Sequence, residues 1–315
     1  MGGYGGIAVG VFETGLIYAI MALGVYITYR ILDFPDLTVD GSFPLGGAVT
    51  ASLLLKGLNP IIVLPIAFIV GSLAGIVTGL IHVKLGVRNL IAGIIVMTAL
   101  YTVNLRIAGR SNLPIGLQTP TIFRNDLYAR VFPQALLPYV PLIIIALLAL
   151  LAKFALDWYL GTKNGYLLRA VGDNDLLVTV LAKDKGYVKI VGLAIANGMV
   201  ALAGAIYVQR FRSFDISMGV GTVVIGLASV IVGLAIAKRL SWLKVTAAVV
   251  IGSILYRVCI ALAIQAGLQS SDLKLITAAL LLLILAFSAE RIKKVKAEVL
   301  ETFPDVSPIE VRDDA

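Results

Sequence analysis

Between Pro60 and Val83 the chain carries no acid, lysine or arginine, and runs of this kind recur along most of its length. This repetition constrains the fold more than any other feature. About 20 consecutive apolar residues suffice to cross the hydrocarbon core of a bilayer as a helix. A backbone there must satisfy its own hydrogen bonds, because no water is present to do so. Composition agrees: 59% of residues are hydrophobic and 14% charged, against about 25% charged in soluble domains. The expected fold is therefore all-α, a polytopic transmembrane helical bundle.

Read in order, the spans are Ile7–Tyr29, a short Gly-containing segment Pro44–Leu58, Pro60–Val83, Asn89–Arg106, Leu136–Leu160, Val188–Val208, a short Val220–Ala237, Val245–Ala266 and Leu273–Ala289. That makes about nine, with eight to ten open because the two Gly-rich segments are hard to count. The start lacks a basic region, so the first apolar segment is expected to be retained as a span. Glu13 lies near its outer end, where an acid can still reach water. Gly71, Gly75 and Gly79 fall four apart, the spacing that lets membrane helices approach closely. Lysine and arginine concentrate at Lys163–Lys189, Lys238–Lys244 and Arg291–Lys296. Alternation puts all three on one side, and the positive-inside rule makes it cytoplasmic. The net charge of +8 is thereby explained by orientation, without nucleic acid as a partner.

One polar insert stands out, Gly165 to Lys189. Asp173-Asn174-Asp175 has the residues of a helix N-cap. Leu177, Val180 and Leu181 then share one face of a short helix over Leu176–Lys183. Such a helix either lies on the bilayer interface or docks in the groove of a cytosolic partner. The run from Leu168 to Phe211, with Arg169, Ala170, Gly172, Asn174, Leu181, Lys189, Asn197-Gly198 and Leu202-Ala203-Gly204-Ala205, resembles the cytoplasmic loop and following helix of ABC-importer permeases of the branched-chain amino acid and ribose class. It departs at Ala182, where that family often has Gly. The run Ile31–Phe43, ILDFPDLTVDGSF, resembles the branch that works with tryptophan- or tyrosine-type binding proteins. The resemblance covers roughly residues 10 to 290.

That resemblance implies a transmembrane permease domain over 1–290 with a coupling loop at about 161–187, followed by a basic-then-acidic cytoplasmic tail, 291–315. It implies docking of a separate ABC ATPase subunit through Arg169, Gly172, Asp173, Asn174, Asp175, Leu177 and Leu181. It further implies an extracytoplasmic substrate-binding protein, a second permease copy as a homodimer, and inward movement of a small solute through the cell membrane, an amino acid, with the branch resemblance pointing to an aromatic one.

The chemistry in the residues fits a non-catalytic subunit. No GxxxxGK[ST] phosphate loop, GxSxG elbow or HExxH pair occurs, so ATP binding and hydrolase chemistry lack their usual scaffolds. One cysteine and one histidine leave no metal set, and no cofactor is expected. A stand-alone secondary transporter or membrane enzyme is the alternative, but few acids lie deep in spans. Candidate path residues are Asp36, Asp40 and Ser42 beside the short Gly-containing segment, Asn104, Asn197 and Arg257. Arg257 falls well inside the penultimate span. There it either attracts a solute carboxylate or is structural, by pairing or snorkelling; the structural role is the commoner one. Asn197, Gln209 and Gln265 also suit hydrogen bonds between helices.

Overall fold

The computed structural model describes residues 4–124, 136–173 and 184–267 except 241, with residues 133, 275, 278, 279 and 282. Helix α1, Tyr4–Tyr26, runs directly into a π-helical turn, Ile27–Ile31. A non-helical stretch follows, with Asp33 at φ 49°, and the Phe34 N–H donates to the Thr28 carbonyl at 2.8 Å. Helix α2 is Val39–Leu55 and α3 is Pro60–Leu85. Asn59 caps α3, its Oδ1 accepting from the Ile61 N–H at 2.9 Å, and Pro60 at the first position loses no helical bond. Helix α4 is Asn89–Ala108, α5 is Val140–Leu160, α6 is Lys163–Asp173 and α7 is Lys185–Phe211. The last described helices are α8, Thr222–Arg239, and α9, Val245–Gln265.

Seven helical stretches among the described residues are long and apolar enough to cross a membrane. Helix α2 is the eighth apolar helix, 17 residues long, about 25 Å at 1.5 Å per residue. The ninth expected span, Leu273–Ala289, lies outside the described residues apart from four isolated positions, as does the tail. Pro44, read as the start of the short segment, instead lies inside α2. The helix begins five residues earlier because its first turn is buried among other helices, and packing there outweighs the intrinsic cost of an interior proline. The all-α reading is amended by a short ribbon: β1, Asn112–Pro114, pairs antiparallel with β2, Ser213–Asp215.

Helix α7 is the axis of the bundle, packing on α1, α2 and α3. Close approach is achieved through glycine, as the spacing on α3 foretold. A Cβ on Gly75 would strike the Leu193 carbonyl, and one on Gly71 would strike Ala201, both on α7. Gly46 of α2 meets the Ala201 carbonyl in the same way. Without a hydrophobic drive between helices in lipid, such fitted contacts supply much of the association energy. The ends of the bundle sort as alternation requires. At one end lie the turn at Ile31, α6, Val83 against Gly186, and Lys244 beside Asp157. The ribbon lies at the other.

Candidate functional site

Helix α1 and helix α2 are separated by a buried break. Phe34, Asp36 and Thr38 are nearly inaccessible, although the backbone from Leu32 to Thr38 is irregular. Irregular backbone at membrane depth survives only where protein or a cavity surrounds it, so its polar groups must find partners. Asp36 Oδ1 accepts from the Thr38 N–H at 2.8 Å. Asp36 Oδ2 accepts from Asn197 Nδ2 at 2.8 Å. Asn197 Oδ1 accepts in turn from Ser42 Oγ at 2.7 Å, and its Nδ2 also reaches the Leu193 carbonyl at 3.1 Å. The Thr38 and Thr78 hydroxyls bond at 2.9 Å. Three predicted path residues, Asp36, Ser42 and Asn197, thus form one network fastening the break to α7. Each bonds another of the three in this arrangement.

Asp40, in the first turn of α2, caps a different helix. Its Oδ2 accepts from the Gly221 N–H at 3.0 Å. Its Oδ1 accepts from the Thr222 hydroxyl at 2.9 Å and the Val223 N–H at 2.8 Å. The first N–H groups of a helix have no partner within it and carry positive partial charge. A carboxylate from another helix satisfies them here. A Cβ on Gly219, two residues before Gly221, would strike the Asp40 carbonyl, which is why this approach needs glycine. Asn104, buried on α4, donates to the Gly41 carbonyl at 3.0 Å and leaves its own Oδ1 without a partner.

Arg257 stands apart from this network. It lies twelve residues into α9, its guanidinium 3.8 Å from the centre of the Tyr18 ring. Its Nε is buried without a partner among the described residues. Tyr18 stacks on Phe43 at 5.6 Å, and Tyr207 meets both rings edge-on, at 6.2 Å and 5.8 Å. Phe211 follows one turn above Tyr207, at 4.5 Å. Glu13, read as reaching water, is instead 2% exposed and held by Arg210. Arg210 Nη2 and Nε both donate to Oε2, at 2.8 and 2.9 Å. The residue arithmetic of α1 gave its depth but not the basic neighbour on α7, 197 residues away.

At the end of the bundle that carries the turn at Ile31, Gly165–Asp173, read as part of a polar insert, is helical. The signal lay in Thr162, whose hydroxyl accepts from the Gly165 N–H at 3.4 Å, and in the burial of Gly165, Leu168 and Val171 along one face. Asp173 is the last described residue of this helix, Arg169 is on its exposed side, and the helix read at Leu176–Lys183 lies outside the described residues. Gly172 abuts the carbonyl of Ile31, and a Cβ there would also lie 3.2 Å from the Leu32 Cα. Asn174, Asp175, Leu177 and Leu181 lie outside the described residues. Another cap, Asp184, begins α7 by accepting from the Gly186 N–H at 2.8 Å.

At the opposite end the Arg212 guanidinium donates to the carbonyls of Gly116 and Thr119. Burial lowers the affinity of Arg212 for its proton. The Ser217 hydroxyl and N–H hold the Asp215 carboxyl below its ordinary value. Together these tie the loop after α4 to the ribbon.

These features are a bundle with a buried break, no described cluster of metal ligands, and cross-helix polar locks. The family described as "Branched-chain amino acid transport system / permease component" matches residues 7–286. The chain belongs to this permease family. It is a multi-pass protein of the cell membrane. It is 40% identical over 278 residues to the tyrosine transport system permease protein of Clostridioides difficile, covering 88% of this chain and 90% of the relative. It is 28% identical over 218 residues to the ribose import permease protein of Haemophilus influenzae, 68% of this chain and 64% of the relative. A probable branched-chain amino acid transport permease protein of Methanocaldococcus jannaschii is 28% identical over 214 residues, 62% and 65% of the two chains. No solved structure matches the chain.

Proposed function

We propose that this permease is the membrane subunit of an ABC importer for an amino acid, with an aromatic amino acid as the first choice. A separate ATPase subunit drives it from the cytoplasmic side, a binding protein delivers solute outside, and two copies form the pathway. The tyrosine permease relative supports the solute class. The observation that carries the mechanism is the contact of Gly172 with Ile31 and Leu32. A force on the segment Arg169–Leu181 reaches, through one residue, the start of the broken stretch between α1 and α2. The break then transmits it to α7 through Asp36, Ser42 and Asn197, and to α8 through Asp40. Nucleotide-driven closure of the ATPase subunits biases the bundle between outward- and inward-facing states, as alternating access requires.

Substituting Asp175 or Leu177 tests this. Uptake should fall while ATP hydrolysis by the assembled complex continues and the permease stays in the membrane. Normal uptake after deletion of residues 174–183 rules the mechanism out. Transport by the purified chain alone, driven by an ion gradient in liposomes, would instead show a secondary transporter.

A further inference from the structure

The described ion pairs join Lys153 and Lys244 to Asp157, and Arg210 to Glu13. None of them includes Arg257. A cation twelve residues into a membrane helix is costly and persists where it faces protein, water or a partner. The Tyr18 ring lies 3.8 Å from the centre of its guanidinium, and the Nε–H on its planar edge has no hydrogen-bond partner among the described residues. That edge is the one that matches a carboxylate in a bidentate fork.

The surroundings have a direction. Phe43 is fully buried and Tyr18 is 7% exposed, whereas Phe211 is 43% exposed. Tyr207 and Arg257 are intermediate. The aromatic cluster is closed toward the break and opens toward the end that carries the ribbon. At its open end Arg210 is already neutralised by Glu13. Among the described residues Arg257 has no acid partner and lies beside a cluster of aromatic rings.

We infer that Arg257 is the carboxylate-binding residue of the solute pathway, with Tyr18, Phe43 and Tyr207 packing against the aromatic body of the amino acid bound there. This rests on the importer reading above and adds to it the group of the solute that the permease recognises. The ring faces suit a flat apolar body, because aromatic pairs gain from offset-stacked and edge-on arrangements. Glu13 Oε1, which accepts no hydrogen bond, leaves an acceptor near the open end.

The test uses membrane vesicles carrying the full permease with its ATPase subunit and binding protein, and two probes, L-tyrosine and L-tyrosine amide. The amide keeps the ring and the amine and lacks the carboxylate charge. Arg257→Gln should reduce L-tyrosine uptake about 10- to 100-fold, the range for one charge-assisted contact, and bring the acid-to-amide ratio to near one. Arg257→Lys should keep part of the preference, since the charge remains and the fork is lost. Tyr207→Leu should lower uptake of L-tyrosine relative to L-leucine and leave the acid-to-amide ratio unchanged. Undiminished L-tyrosine uptake by Arg257→Gln overturns the inference. So does loss of uptake with the acid-to-amide ratio retained, which marks a structural arginine. Should Arg257→Gln fail to reach the membrane, Arg257→Lys and Tyr207→Leu decide on the same two ratios. If wild-type vesicles take up neither probe, the aromatic amino acid reading falls and this inference with it; wild-type uptake beside an indifferent Arg257→Gln removes this inference alone.

Discussion

Asp40→Ala is the sharpest perturbation of the bundle. The carboxylate accepts three hydrogen bonds from the start of α8, at 2.8, 2.9 and 3.0 Å. Truncation strands two backbone N–H groups and leaves the Thr222 hydroxyl its other acceptor, the Gly219 carbonyl at 3.0 Å; the loss of an N-cap alone costs about 0.5–2 kcal/mol. Hydrogen bonds to a charged acceptor contribute about 1.5–3 kcal/mol each, and they do not add fully. Because the site is only partly buried, water recovers some of this. A destabilisation of about 3–4 kcal/mol follows. For a chain of this size about 2–4 °C of melting temperature corresponds to each kcal/mol, so the midpoint should fall by about 6–16 °C. Asp40→Asn keeps one acceptor oxygen and should lose about a third of that. Thr222→Val removes one donor of the three and should behave similarly. The assay is thermal unfolding of the purified full-length permease in detergent, followed by size-exclusion recovery. If Asp40→Ala melts within about 2 °C of the parent, the carboxylate does not hold α8 and the reasoning is wrong.

Three further outcomes follow from the same contacts. Asn197→Leu leaves the Asp36 carboxyl and the Ser42 hydroxyl without their shared partner at buried positions and, at about 1–3 kcal/mol for each stranded group, should cost about 2–6 kcal/mol; an unchanged melting temperature would show that water replaces the amide. Gly46→Val drives a side chain into the Ala201 backbone, where no rotamer can relieve it, and should abolish accumulation of folded permease, read as the amount surviving detergent extraction. The Asp215 carboxyl is held below its ordinary value chiefly by the Ser217 hydroxyl and N–H. Its contribution to the ribbon is therefore fully present above the ordinary carboxylate value and lost as pH falls through the lower, folded-state value. Hydrogen exchange over Ser213–Ser217, compared with Asp215→Asn across that range, should converge at the acid end.

The elements were more legible than their relations. Pro60, Asn89 and Val245 mark the starts of α3, α4 and α9 as read, because apolar length together with capping or basic residues sets where a membrane helix can begin. The glycine stripe of α3 was also visible, since spacing of four is a local property of a helix. The start of α2 was misplaced for the opposite reason: Pro44 is a strong local signal, and only neighbours on α3, α4 and α7 make the preceding residues helical. Helix α6 was missed because the signal of Thr162 is weak; the helix read at Leu176–Lys183, behind the Asp173-Asn174-Asp175 cap, lies outside the described residues.

For the candidate site, the residue list was readable and its wiring was not. Asp36, Asp40, Ser42, Asn104, Asn197 and Arg257 are conspicuous because polar groups are expensive among apolar runs, and expense is visible in one dimension. The sequence alone therefore settled that this is a helical membrane bundle and which of its polar residues need partners. Only the tertiary structure decided who those partners are. Asp36 closes on Asn197, 161 residues away; Asp40 caps α8, 181 residues away; Glu13 takes Arg210; Arg257 lies over an aromatic ring with no acid paired to it among the described residues. Pairings at such separations depend on which helices pack together, a matter of shape at glycine contacts rather than of any local pattern.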